Sequence, residues 1–179
     1  KNYLGVLEDG TVDVKGLTGK KKHTPTFIKD AFNMMKDRLA KVKNPEDFEK
    51  ARKDIANIVR DRYNILRRRE WGDISELAFH VVLGDEVASY TKTTPQHVKA
   101  AKILQASGKE LRAGDLISFV KVNSNKDRVK PVELSSRNEV DVDKYIAYLQ
   151  STFDQVLDAL GLNFEEIIGL TRLESFLGA

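Results

Sequence analysis

The chain has 179 residues with a net charge of +3; 41% are apolar, 32% charged, and none is cysteine. That is enough apolar surface to offset ordering of the backbone, so the chain is expected to be globular, with one or two domains. Disulfides, thiolate catalysis and cysteine-ligated zinc are excluded, and no apolar run approaches the roughly 18 to 20 residues that span a bilayer.

In chain order, residues 2–7 and 11–15 alternate as strands do, and Glu8-Asp9-Gly10-Thr11 between them carries the Asp-Gly hairpin signal. Lys20-Lys21-Lys22 follow. Thr24-Pro25 reads as N-cap and first helical position of a helix to about Val42, with Phe27, Ile28, Ala31, Phe32, Met35 and Leu39 at helical spacing. Asn44-Pro45-Glu46-Asp47 repeats the start signal, and Phe48, Ala51, Ile55, Ile58, Val59, Tyr63 and Leu66 mark the buried face of a longer helix, so the two should form an antiparallel hairpin. The apolar run Leu77–Leu83 fits either strand or helix.

Thr94-Pro95 begins a third helix closed by Gly108, and residues 116–122 and 129–134 bracket the polar turn Asn123–Arg128 as a second hairpin. A helix from Asp141 or Val142 to Leu160 stops at Gly161, and Asn163 caps a short last helix ending before Gly169. The fold class is therefore α+β and helix-rich, with small antiparallel hairpins.

Charge is unevenly spread. Residues 1–71 hold 18 Lys+Arg against 11 Asp+Glu, residues 72–137 hold 10 against 8, and residues 138–179 hold 2 against 8, giving +7, +2 and −6. A basic amino half suits a polyanionic partner, because each cation that neutralises a phosphate releases condensed counterions.

No glycine-rich phosphate loop, HExxH or GxSxG occurs, and His23, His80 and His97 have no short-range ligand partner. His80, inside an apolar run, is read as structural. Glu139, Asp141 and Asp143 would share one face of a strand and hold a divalent ion; the competing reading, which is favoured, is that Asp141 or Asp143 caps the following helix. Lys20-Lys21-Lys22 would be a solvated run if alone. They follow a hairpin bearing Lys1, Tyr3 and Lys15, lie beside Gly16 and Gly19, and end at a helix start, which together suit a phosphate-tracking groove. Lys92 and Lys99 flank a second helix start. Arg67-Arg68-Arg69, at a helix end, is read as serving the last carbonyls and the helix dipole.

The order of these features resembles the carboxy-terminal part of archaeal family-B DNA polymerases. The segments are Lys1-x-Tyr3, the hairpin, Lys15-Gly16-Leu17, Lys21-Lys22, Pro95-x-His97-Val98 and Gly114-Asp115-Leu116-Ile117-Ser118-Phe119. The resemblance implies the end of a palm domain over residues 1–24 and a thumb domain over residues 25–179. It implies that Lys1 and Tyr3, as a KxY motif, face the minor groove and backbone of new duplex. There a lysine donor meets acceptors that every correct pair presents.

Lys15, Gly16, Lys20, Lys21 and Lys22, and then Lys92, Pro95, His97 and Lys99, are implied to face DNA. His23 stands where many relatives have an acid; Thr94 and Gln96 depart from the thumb's GPHV-type pattern. At the carboxy end Leu173, Phe176 and Leu177 fit the spacing of a sliding-clamp peptide, with Leu170 in place of its glutamine; the same residues would equally pack back on the thumb.

The family's catalytic aspartates, with their Mg2+ ions, are implied to precede Lys1. The chain is then a piece of a DNA-directed DNA polymerase, or the smaller part of a split one, inactive alone. Its partners would be primer–template DNA, the rest of the polymerase and a sliding clamp, with no membrane and a cytoplasmic location. A free-standing duplex-binding module is the alternative from the residues themselves.

Overall fold

The structure is a computed structural model that describes residues 3–9, 11–15 and 23–169. The chain divides into two compact units, Lys1–Arg68 with Ile146–Ala179, and Arg69–Tyr145.

The first unit begins with β1 (Tyr3–Val6) and β2 (Val12–Lys15), antiparallel, with Tyr3 opposite Lys15 and Val6 opposite Val12. Across the turn the Leu7 N–H donates to the Thr11 carbonyl at 2.8 Å, while Gly10 lies outside the described residues. The Asp9 carboxylate accepts from the Thr11 N–H at 3.0 Å and its hydroxyl at 2.6 Å, which holds the Asp9 pKa below its ordinary value. Helix α1 (Thr26–Ala40) buries Phe27, Ile28, Ala31, Phe32, Met35 and Leu39, the spacing expected. Its start is one residue later than predicted. Pro25 is the cap, without a side-chain bond, and the Thr24 hydroxyl is instead 3.2 Å from that of Tyr148.

Asn44 caps α2 (Pro45–Arg68) as predicted, its side-chain oxygen accepting from the Asp47 N–H at 2.7 Å. Ala51, Ile55, Val59, Tyr63 and Leu66 are buried, whereas Phe48 and Ile58 are half-buried. The two helices are antiparallel. Arg38, near the end of α1, reaches Asp47 at 2.8 Å and Asp54 at 2.7 Å, while the Arg62 guanidinium lies 4.7 Å from the Phe27 ring centre.

Helix α4 (Val142–Ala159) continues into this unit and brings Phe153 edge-on to Phe32 at 5.7 Å. Arg52 of α2 donates to the carbonyls of Leu160 at 2.7 Å and Gly161 at 3.3 Å, satisfying orphan acceptors where Gly161 (φ 68) stops the helix. Asn163 then caps α5 (residues 164–169) through the Glu166 N–H at 3.1 Å.

The Arg38 network carries a pH prediction. Its hydrogen bond from Arg38 holds the Asp47 carboxyl below its ordinary 3.8. A depressed folded pKa means stabilisation that is present above the unfolded value and is lost as pH falls through the folded one. The melting temperature should therefore drop below about pH 4, and Asp47→Asn should flatten that part of the profile; superimposable profiles would rule the pair out as a source of acid sensitivity.

The second unit is built on a three-stranded antiparallel sheet in the order β3 (Phe79–Val82), β4 (Leu116–Lys121), β5 (Val129–Pro131). The open stretch at 77–83 thus resolves as strand, entered from a 3-10 turn at Ile74–Leu77 that Asp73 caps. The predicted strand over 129–134 ends early, at Pro131, which has no N–H for a ladder; Val132–Leu134 turn into 3-10 helix. Asn125 shapes the connecting turn, accepting from the Arg128 N–H at 2.8 Å and donating to the Val129 carbonyl at 2.9 Å.

Helix α3 (Gln96–Ala106) packs on β4 and β5 through Val98, Ala100, Ala101 and Leu104, and Gly108 (φ 100) ends it in a left-handed conformation. Phe79 stacks on Phe119 at 5.5 Å, with Tyr145 at 6.1 Å from Phe79. His80, read as structural, is exposed. Strand alternation turns it outward, where its Nδ1 lies 2.6 Å from the Ser118 hydroxyl across the ladder.

Candidate nucleic-acid interface

The acid-free stretch from Val87 to Lys109 contains Lys92, Lys99, Lys102 and Lys109. It folds into a 3-10 turn at Val87–Ser89, a loop, and α3. Lys109 is paired with Glu133 at 3.2 Å. Lys92 and Lys102 are exposed and Lys99 half-buried, and no acidic partner meets any of these three among the described residues. None of the three is therefore held in an ion pair.

Local geometry concentrates that charge. Lys99 and Lys102 are three apart on α3 and so share a face, while Lys92 lies in the approach to the helix. Pro95 occupies the cap position of α3, and no side chain caps the helix. Its amino end thus adds a partial positive charge beside the lysines, an arrangement suited to phosphate oxygens. The Tyr90 and His97 rings meet edge to face at 6.3 Å, fixing the loop to the first turn of the helix. Tyr90, Thr91, Lys102, Gln105 and Glu86 line an open groove beside α3.

The structure therefore brings Lys92, Pro95, His97 and Lys99 together around one helix start. It also adds Lys102, which lies beyond the motif segment ending at Lys99. The signal was present: a lysine three residues further along a helix occupies the same face. In the first unit, Tyr3 and Lys15 are cross-strand partners in the ribbon backbone. Lys1, Gly16, Lys20, Lys21 and Lys22 lie outside the described residues, as do Leu173, Phe176 and Leu177. His23 is exposed.

The arginine triplet is engaged structurally in two of its three members. Arg67 lies over the Tyr63 ring at 5.6 Å, and Arg69 donates to the carbonyls of Arg137 at 3.0 Å and Val140 at 2.9 Å.

The acids proposed as metal ligands are placed on separate elements rather than on one strand. Glu139 closes a capping box with Ser136 and accepts from Lys130 at 2.6 Å, a bond that lowers its pKa. Val140 bridges to Val122, and Asp141 accepts from the Lys144 N–H at 3.3 Å as α4 starts. Asp143 is on the helix itself. Among the described residues no three His, Asp or Glu side chains are grouped to hold a metal ion. Nor is any helix there long and apolar enough to cross a membrane.

Comparison with known proteins supplies the family. The model of DNA polymerase family B matches residues 1–160. The chain is 41% identical over 179 residues to DNA polymerase 1 of Sulfolobus acidocaldarius, covering 100% of this chain and 20% of that protein. It is 48% identical over 175 residues to DNA polymerase 1 of Sulfurisphaera ohwakuensis, covering 98% and 20%. The chain thus spans about a fifth of the length of the curated relatives it matches. Its fold is similar to the family B DNA polymerase of the hyperthermophilic archaeon Pyrobaculum calidifontis. The TM-score is 0.62 at 24% identity, over 86% of this chain and 20% of that one. With the family model matching most of its length, this chain belongs to DNA polymerase family B.

Proposed function

We propose that the chain is the part of a DNA-directed DNA polymerase that holds primer–template duplex, with residues 1–24 ending the palm and residues 25–179 forming the thumb. One observation carries this reading: Lys92 and Lys99 stand at an uncapped helix start, with Lys102 one turn further along the same face, and none of the three is in an ion pair among the described residues. Such a surface meets phosphates of any sequence, so it positions the duplex rather than selecting it. Lys1, Tyr3, Lys15, Gly16, Lys20, Lys21 and Lys22 extend the contact toward the primer terminus, Lys1 and Tyr3 through the minor groove. Leu173, Phe176 and Leu177 offer a sliding clamp its apolar anchors.

Nucleotidyl transfer belongs to the remainder of the polymerase, whose aspartates would hold Mg2+ and align the primer hydroxyl. Glu139 and Asp141 of this chain serve instead as an ion-pair partner and a helix cap. The site of action would be the cytoplasm, with the genome.

Mixing this chain with the remaining polymerase polypeptide and measuring primer extension tests the role. Added chain should lengthen the products made per binding event. Extension that is indifferent to it would leave a free-standing duplex-binding module as the better reading.

A further inference from the structure

Two arginines that the function above does not use are bound to each other's backbone. Arg69, the first residue of the second unit, has φ 56, a left-handed conformation usually left to glycine. Its Nη1 donates to the carbonyls of Arg137 at 3.0 Å and Val140 at 2.9 Å. Arg137 returns the bonds. Its Nη1 donates to the carbonyls of Arg69 and of Trp71, the latter at 2.6 Å, its Nη2 donates to Gly72 at 3.1 Å, and its guanidinium lies 5.4 Å from the Trp71 ring centre.

The chemistry of this cluster is unlike that of the ion pairs elsewhere in the chain. Every acceptor is a neutral backbone carbonyl. The carbonyls lie at the unit's entry, 69–72, and at the turn over 137–140 that leads into α4. Only a forked, planar donor set bridges two or three carbonyls from one side chain; an ammonium on a flexible stem does not hold that geometry. The residue at 69 also needs a side chain to reach 137 and 140, which accounts for arginine where the backbone favours glycine.

We propose that Arg69 and Arg137 are reciprocal positioning residues, a carboxylate-free clamp that fastens the unit's first residues to the turn before α4, whose Val140 bridges to Val122 at the end of β4, and so steadies the sheet on which α3 and its lysines pack. The presentation of the lysines rests on the DNA-holding role given above; the clamp itself does not.

The test uses the whole chain with Arg69→Ala, Arg137→Ala, the double variant and Arg137→Lys. Amide hydrogen exchange without DNA should speed up at least tenfold across 69–72 and 137–140 in each alanine variant. The double variant should be little worse than either single one, because each arginine depends on the other, and lysine at 137 should not rescue. Exchange unchanged in these segments, or full rescue by lysine, would overturn the clamp. If Arg137→Ala does not fold, Arg69→Ala and Arg137→Lys carry the same comparison.

Duplex binding supplies the second readout. A positioning role lowers affinity several-fold while the slope of log K against log salt stays as in the unaltered chain. A slope reduced by about one per arginine would make both residues phosphate contacts and overturn the positioning role. An unchanged affinity alongside accelerated exchange would remove the link to DNA and leave the clamp standing.

Discussion

Changing Lys92, Lys99 and Lys102 to alanine together should reduce the magnitude of the salt slope of duplex binding by about two to three, because each phosphate neutralised contributes about 0.9 to it. Affinity should fall alike for unrelated sequences, since contacts of this kind carry no base information. The three effects should add. These lysines have no acidic partners to release, so their removal costs the fold little while taking away the field at the start of α3. Lys109→Ala is the matched control, because that lysine is already neutralised by Glu133; its slope should stay close to that of the unaltered chain. A triple variant with an undiminished slope would put the lysines on a surface that only water touches.

Tyr145→Phe should destabilise the second unit by about 1 to 3 kcal/mol, the cost of leaving buried polar groups without their partner. The Tyr145 ring is fully buried against Phe79. Its hydroxyl donates to the Leu77 carbonyl at 2.6 Å and accepts from the Lys121 N–H at 3.0 Å. One oxygen thus joins the 3-10 turn before β3, the end of β4 and the first turn of α4. Burial pushes the phenol pKa upward, with the nearby Asp141 charge acting in the same direction, so the group stays protonated and able to donate. Phenylalanine keeps the packing and removes only the oxygen. Urea midpoints measure the change; a loss below about 0.5 kcal/mol would mean that water or a backbone shift replaces both bonds.

Much of this architecture could be read directly. Asn44-Pro45 marked the start of α2, Gly108 and Gly161 marked two helix ends, and Asp9 marked the ribbon turn, each through local backbone chemistry that does not depend on the rest of the chain. Elements set by tertiary context were harder. Phe79–Val82 is a short edge strand whose register partners, Leu116 to Phe119, lie far along the chain, so its apolar run alone did not separate strand from helix. Once the run is a strand, alternation turns His80 outward with Val82, where it meets Ser118 across the ladder.

The candidate interface shows the same division. Lys92, Pro95, His97 and Lys99 were visible as a motif, and the helical period that would have added Lys102 was visible too. The Arg69–Arg137 pairing was not, because the residues are 68 apart and neither carries an opposite charge to suggest the other.

The most direct measurement is the duplex affinity of the purified chain across a range of salt, using two unrelated sequences of equal length. A chain that grips the backbone through its lysines gives parallel lines of log K against log salt with a slope of about −3 or steeper, and equal affinities at each salt concentration. A slope near zero, or a marked preference for one sequence, would contradict the account.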